Sequence, residues 1–419
     1  MNITIFGAGS QGDIQPCLRL GKGLQRAGLQ VRLAAPQNFA GLIQKEGLPF
    51  HPLYGDVQEI MASETGQRFM EKGDTNPIRS IFAMRKMLGP VALQMAEGVL
   101  EACQDAVALI TLAVFAPFGK TIAERRGIPL LLVEPTPVLP TRDFPAPGFP
   151  IQKNMGGILN RLSGFAALET IWQWYRPFVN EFRRRLGLRR LGSSGFFHTL
   201  VSTLLLGAYS SAVIPRPQDW PNNVHISGYW FQDDPHAWRP PVELETFLET
   251  GEAPVYIGLG SMAGRDPERF AGIAIAALKR SGKRGVIATG WGGIKTTDVP
   301  KDIFVLDSAP HGWLFPRMAA VVHHGGAGTT AEGLRAGKPT VIVPFIVDQH
   351  FWGKRVQALG AGVEPLPAKR LTETKLAGAL QRAVSDAEMT RRAESVGKAI
   401  RAEDGIGAAV KIVKEFLGA

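Results

Sequence analysis

Cysteine is almost absent: Cys17 and Cys103 are the two in a chain of 419 residues. That excludes a disulfide framework, and their spacing matches no metal-ligand pattern, so no metal site is expected. Both lie in apolar helical patterns, where a buried reduced thiol is the expectation, in keeping with a cytoplasmic protein. Internal repeats and low-complexity tracts are lacking, which excludes a solenoid or a disordered linker. No nucleic-acid motif or aromatic-interleaved basic patch occurs, so nucleic acid is not an expected partner. The N-terminus runs straight into Ile3–Phe6 without a basic n-region or cleavage site, and no signal peptide is expected.

Acidic residues are outnumbered, 37 against 47 basic, for a net charge of +10. Much of the excess is local, at Arg183, Arg184, Arg185, Arg189 and Arg190. Such a cluster reads either as a solvated helix face or as an attraction for anionic lipid, which would make the protein peripheral at the inner face of a membrane. From Leu191 to Pro215 charged residues are absent altogether. With the arginines before it, this stretch resembles a membrane span with a positive flank. Its many Gly and Ser residues and His198 argue against a span. Only Leu200–Leu206 is densely apolar, and a buried parallel strand explains that run better.

The length suits two domains, and 45% apolar residues can fill a core in each. The 48 glycines and 30 prolines are spread along the chain, as turns between many elements would require. In the first half short apolar runs at Ile3–Phe6, Val31–Ala34, Phe50–Leu53, Val107–Ile110 and Leu130–Val133 alternate with helical patterns. Prolines at 135, 137, 140, 145, 147 and 150 mark a loop. A helical stretch over 158–186 carries Trp172, Trp174, Tyr175 and Phe178, which either pack a helix pair or wall a hydrophobic pocket. A Pro- and Trp-rich linker is expected over 215–241. A second alternation follows, with strands near 255–259, 285–288, 304–306, 320–323 and 340–343. This pattern is α/β, two doubly wound halves with a ligand cleft at the C-terminal ends of the strands.

Gly7-Ala8-Gly9-Ser10-Gln11-Gly12 follows the first strand and matches G-x-G-x-x-G, so a dinucleotide-dependent oxidoreductase is one reading. That fingerprint needs an acid at the end of the second strand. Here that strand ends Leu33-Ala34-Ala35-Pro36, and Glu46 is the first acid after Asp13. What remains is a glycine turn that delivers Asp13 to the sheet edge, either as a helix N-cap ahead of Pro16 or as a functional acid.

The second half carries the more specific pattern. His323-His324-Gly325-Gly326-Ala327-Gly328-Thr329-Thr330 joins a strand to a helix. Its glycines admit backbone N–H groups to a ligand, Thr329 adds a hydroxyl, and the helix N-terminus favours anions, which together suit a diphosphate. His324 can donate to a phosphate oxygen, and Glu332, one turn after Thr329, can accept from ribose hydroxyls. Asp348-Gln349 at a strand end offers acceptors and an amide donor to sugar hydroxyls. Ser261, after the turn Gly258-Leu259-Gly260, can reach a phosphate, and Ser308-Ala309-Pro310-His311 can hold a nucleobase edge through backbone groups.

These motifs resemble those of the UDP-glycosyltransferases, in the branch that acts on sterols and antibiotic aglycones. Gly9-Ser10-Gln11-Gly12-Asp13-Ile14-Gln15-Pro16 resembles that branch's N-terminal signature, with Gln11 where Arg is usual. The block from Ala309 to Gln349 resembles the nucleotide-sugar signature, and Gly290-Trp291-Gly292-Gly293 and Gln349-His350-Phe351-Trp352-Gly353 resemble the sterol glucosyltransferase pattern. The resemblance implies the GT-B fold, two doubly wound Rossmann-like domains facing across a cleft. It implies an N-terminal acceptor domain over 1–214 and a nucleotide-sugar domain over 242–400. The helix over 401–419 could return to the first domain. It further implies that His324, Gly326, Gly328 and Thr329 hold the diphosphate with Ser261 beside them. Glu332 would take the ribose, Ala309 the uracil, Asp348 and Gln349 the sugar, and Trp291 and His311 would complete the donor site. Ser308 stands where plant relatives stack a Trp on uracil, leaving uracil and thymine both open.

Asp13 falls where many plant relatives have a catalytic His, on a loop with Ser10, Gln11 and Gly12 at the acceptor side. The implied reaction is metal-independent and inverting, transferring a hexose, glucose from UDP-glucose above all, to a hydroxyl of a sterol, triterpene, polyketide or other lipid alcohol. The UDP-sugar is a co-substrate and no cofactor is expected. The alternative class is a nucleotide-sugar-binding protein without turnover, against which the intact Asp13 argues.

Overall fold

The structure is a computed structural model that describes residues 2–56, 77–231, 238–260, 267–289, 299–346 and 348–418. The chain divides into two compact units, Met1–Trp230 with Asp404–Ala419, and Phe231–Glu403.

The first unit is built on seven parallel strands: β1 (Asn2–Phe6), β2 (Gln30–Pro36), β3 (Phe50–Leu53), β4 (Ala106–Leu112), β5 (Leu130–Glu134), β6 (Leu204–Gly207) and β7 (Val224–Ile226). Their order in the sheet is β3-β2-β1-β4-β5-β6-β7. Ile3, Ile5, Leu33, Ile110, Leu131 and Leu206 are buried in it, as expected for strands covered on both faces by helices. The second unit repeats the plan with β8 (Val255–Gly258), β9 (Gly285–Ala288), β10 (Ile303–Leu306), β11 (Ala320–His323) and β12 (Thr340–Ile342), in the order β10-β9-β8-β11-β12. In each sheet the winding reverses beside its first strand, between β1 and β4 and between β8 and β11. Ligands of such sheets bind beyond the strand C-termini at that reversal.

The structure corrects some expectations and decides between the alternatives of others. Leu200–Leu206 is not one strand: helix Ser193–Ser202 takes its first half, and β6 begins at Leu204. Among the described residues no helix is long and apolar enough to cross a membrane. Residues 215–230 are not linker, because β7 extends the first sheet and Trp220 and Trp230 are buried with it. The 404–419 segment belongs to the first unit, where helix Gly405–Leu417 buries Ala409 and Val413 in the core. Trp172 and Tyr175, on the single helix Gly157–Arg185, pack rather than wall an open pocket. The Trp172 ring stacks on Phe196 of the neighbouring helix at 5.7 Å, and the Tyr175 ring meets Phe118 edge-on.

Three arginines of the cluster are paired within the first unit, and Arg189 and Arg190 are exposed. Arg183 is buried and pairs with Glu124 at 3.1 Å, while its Nε donates to the Arg189 carbonyl. Arg184 and Arg185 both pair with Glu181, and Arg185 also reaches Glu97 at 2.9 Å. These two guanidinium groups hold the Glu181 carboxyl down at about 2. Cys17 and Cys103 are free and buried, and burial pushes their thiols up to about 12 and about 11.

Candidate functional site

In the first unit the turn after β1 opens with Gly7, whose N–H donates to the Ala34 carbonyl at 3.0 Å. Gly9 adopts φ 125°, a conformation that glycine alone takes readily, and a Cβ there would strike the Asp13 carboxylate. Helix Gln11–Arg26 starts at once, and its N-cap is Ser10, not Asp13. Asp13 is the third helical residue, and its Oδ2 accepts from the Ser10 N–H at 2.7 Å and from the Ser10 hydroxyl at 2.9 Å. That is a capping box, with the acid supplied from N3. Gln11 and Gly12 are exposed in the first turn. Under the turn lies an aromatic floor: Phe6 meets Phe115 at 5.0 Å, and Phe115 meets Tyr175 at 6.0 Å. Burial, and then the nearby Asp13 charge, push the Tyr175 phenol above its usual range.

In the second unit the residues gather around the end of β11. His323 is fully buried, and its Nδ1 accepts from the Gly325 N–H at 3.0 Å. The ring proton is therefore on Nε2, which is buried without a partner among the described residues. Helix Ala327–Arg335 follows, N-capped by Gly326, and its first ladder bond runs from the Thr330 N–H to the Gly326 carbonyl. The N–H groups of Ala327, Gly328 and Thr329 precede that ladder and carry the positive end of the helix dipole.

His324 stands beside this terminus with Nδ1 buried and unpartnered among the described residues. Burial pulls its pKa down to about 4, so at neutral pH it is an uncharged imidazole with one N–H to give. The turn after β8 comes up on its other side, where a Cβ on Gly260 would lie 3.9 Å from His324 Cε1.

His311 stacks on Phe315 at 4.4 Å and meets Tyr256 edge-on, and burial with the neighbouring His324 pulls it to about 4. Ala309 packs on the same cluster. Glu332 Oε2 faces Gly312 at the next turn, 3.8 Å from where a Cβ would stand, and burial raises its carboxyl to about 7.

Beyond β12, Gln349 is buried and its Oε1 accepts from the N–H groups of Phe345 at 2.8 Å and Ile346 at 3.2 Å. The oxygen therefore organises the loop, and the amide hydrogens are what Gln349 can offer a ligand. Asp348 caps helix Gln349–Ala358 and its Oδ2 accepts from Trp352 Nε1 at 3.2 Å.

The second unit thus brings Ala309, His311, His324, Gly326, Gly328, Thr329, Glu332, Asp348 and Gln349 to the strand ends of one sheet, and the first unit brings Ser10, Gln11, Gly12 and Asp13 to those of the other. Ser261 and Trp291 lie outside the described residues. Sequence reasoning missed His323 as the residue that folds the glycine turn back. It also missed Glu134, buried at the end of β5 with Tyr209 Oη donating to it at 2.6 Å and the Val138 N–H at 3.1 Å. An acid straight after an apolar strand and straight before Pro135 was the available signal.

Residues 3–145 match the glycosyltransferase family 28 N-terminal domain, and residues 286–413 match the erythromycin biosynthesis protein CIII-like C-terminal domain. The chain is 35% identical to a sterol 3-beta-glucosyltransferase of Arabidopsis thaliana over 98% of its own length and 67% of the plant protein's. It is 36% identical to an O-mycaminosyltylonolide 6-deoxyallosyltransferase of Streptomyces fradiae, covering 99% of this chain and 97% of that one. A sterol 3-beta-glucosyltransferase of Emericella nidulans is 33% identical, but the chain spans only 30% of its length. Among solved structures, the glycotransferase of kitacinnamycin superposes with a TM-score of 0.76 at 17% identity, over 99% of both chains. The glycosyltransferase VinC, solved in complex with dTDP, superposes with a TM-score of 0.70 at 17% identity, over the whole of both.

Proposed function

The chain belongs to the glycosyltransferase family of these sterol and antibiotic-aglycone enzymes, with the GT-B fold, and we propose that it transfers glucose from UDP-glucose to a hydroxyl of a hydrophobic acceptor such as a sterol or other lipid alcohol. The observation that carries the donor half is His324 Nδ1, buried and without a partner among the described residues, beside three helix N-terminal N–H groups at the point where the second sheet reverses. A desolvated imidazole without a partner costs stability, and a diphosphate oxygen would repay it as acceptor. Glu332 takes the ribose hydroxyls, Ala309 and His311 border the base, and Asp348 and Gln349 take the sugar. Ser261 and Trp291 complete the donor set in this reading.

The reaction has one bond to make and one to break. The acceptor oxygen attacks the anomeric carbon as the bond from that carbon to the diphosphate oxygen breaks, with inversion, so an α-linked donor yields a β-glycoside. Asp13 receives the hydroxyl proton. Its Oδ2 is held by Ser10, so the carboxylate is oriented before substrate arrives. A carboxylate, with an ordinary pKa of about 3.9, is a weak base for an alcohol. Its help comes late, as the new C–O bond makes the hydroxyl acidic. The electron pair leaves on the diphosphate, where the helix N-terminus and His324 stabilise it. These groups can serve without a cofactor or metal, and full transfer in the presence of EDTA would bear that out.

Sterol and 6-deoxyallosyl activities among the relatives support an apolar acceptor, and a dTDP-bound neighbour keeps thymine nucleotides in the test. Calorimetric titration with UDP, dTDP and UDP-glucose, followed by transfer assays on a sterol and a polyketide aglycone, tests the proposal. Tight UDP binding with β-glucoside formation supports it. Donor binding with neither transfer nor hydrolysis would leave a nucleotide-sugar-binding protein instead.

A further inference from the structure

The first two turns of helix Gly157–Arg185 show water an apolar stripe. Ile158 is 72% exposed, Leu159 and Leu162 are 55% exposed, and Phe165 is 39% exposed. Spaced at i, i+1, i+4 and i+7, they form one continuous strip along the helix. Ile151, just before the helix, adds a fifth apolar residue at 44% exposure. Single exposed apolar residues need no explanation, but a contiguous group on one helix marks an interaction surface.

The charge around the stripe is mostly positive. Lys153, Arg161 and Arg142, whose stem packs on Gly157, are exposed. Against them stand the exposed Asp143 and the half-buried Glu169, one turn past Phe165, which accepts from Gln173 and Ser193. The Arg161 guanidinium lies over the Phe165 ring, 5.8 Å from its centroid, so cation and apolar surface are interleaved rather than adjacent.

The platform is held from behind. Asn160 is fully buried; its Nδ2 donates to the Arg142 carbonyl at 2.9 Å and to Asn154 at 2.8 Å, and its Oδ1 accepts from the Met155 N–H. Ser163 Oγ accepts from the Ala146 N–H at 2.9 Å. These bonds clamp the proline-rich segment onto the helix and keep the stripe facing outward.

We propose that the stripe Ile158, Leu159, Leu162 and Phe165, with Lys153 and Arg161, docks the protein on an anionic lipid bilayer. Apolar side chains at this spacing enter the acyl boundary while cations beside them meet acidic headgroups and snorkel to water. The net charge of +10 adds a general attraction. The surface differs from the arginine cluster at 183–190, whose first three members are spent on Glu124, Glu181 and Glu97. Docking here would bring the protein to where lipid alcohols are dissolved. It goes beyond glycosyl transfer, and vesicle binding tests it without turnover.

The test is co-sedimentation of the full chain with vesicles of phosphatidylcholine alone or mixed with phosphatidylglycerol, at low and at moderate salt. Wild type should bind the anionic vesicles about tenfold more tightly than neutral ones. Ile158→Gln with Leu162→Gln should weaken binding by about tenfold or more, since both side chains are exposed and Gln keeps helix propensity. Lys153→Glu with Arg161→Glu should remove the preference for anionic lipid. Arg189→Glu with Arg190→Glu should change binding by less than about twofold. Binding unaffected by the Gln pair overturns the proposal, and so does release by the Arg189 and Arg190 pair alone. A rise in KM for a water-soluble acceptor in the Gln pair, with vesicle binding intact, would make the stripe part of the acceptor site and would also overturn it.

Discussion

Gly326 lacks a side chain where His324 needs the room: a Cβ on Gly326 would stand 2.5 Å from His324 Nε2. The backbone of Gly326, at φ −61° and ψ 145°, is one that any residue can adopt, so the requirement for glycine is set by the imidazole alone.

That contact separates two variants. Gly326→Ala should fold and keep its helix, yet push His324 off the diphosphate position. His324→Ala removes the donor outright. Losing a hydrogen bond to a charged group costs about 1.5–3 kcal/mol, so both variants should bind UDP and UDP-glucose roughly 10- to 150-fold more weakly. Calorimetry with each nucleotide measures this. Unchanged UDP affinity in both would remove the glycine turn from the donor site.

Gln349 should behave differently. Its Oε1 serves the Phe345 and Ile346 N–H groups, so Gln349→Ala would disturb the loop as well as the ligand. Gln349→Glu keeps an acceptor for both and discards the amide donor. This variant should bind UDP as the wild type does, lose turnover, and discriminate less between glucose and its epimers. A drop in UDP affinity equal to that of His324→Ala would show Gln349 to be structural.

Asp13→Asn preserves an oxygen for Ser10 and removes the base. Donor affinity should stay within a few fold while turnover falls by roughly 10²–10⁴. Its melting temperature should hardly change, since Asn can still accept from Ser10. Near-normal turnover in this variant would reduce Asp13 to a member of the capping box.

Glu134 gives a pH dependence of stability. Burial raises its carboxyl from 4.5 to about 7, against the opposing bonds from Tyr209 and Val138. Below 4.5 both folded and unfolded states hold the proton and the contribution is fully present. As pH rises towards 7 the unfolded chain ionises first, and folding loses on the order of 3 kcal/mol. Glu134→Gln cannot ionise, so its stability relative to wild type should increase between pH 5 and pH 8. Urea midpoints across that range decide it, and parallel curves would mean that Glu134 ionises as freely in the fold as out of it.

The amino-acid sequence by itself determined the two doubly wound halves, because strands covered on both faces must be short apolar runs and the helices between them must be amphipathic. It also determined the glycine turn after the fourth strand of the second unit. His323-His324-Gly325-Gly326 is contiguous, and the chemistry of a strand end running into a helix N-terminus is local. Tertiary structure decided what depends on neighbours distant in sequence. Leu200–Leu206 is apolar throughout, and periodicity alone cannot tell a buried helix end from the strand that follows it. The arginines at 183–185 look like free charge until Glu97 and Glu124 arrive from elsewhere in the chain. Residues 215–230 look like linker until β7 takes its place at the sheet edge. The burial that keeps His324 neutral and raises the Glu134 carboxyl comes from elements far apart in the chain, and the residue itself does not show how completely it is desolvated.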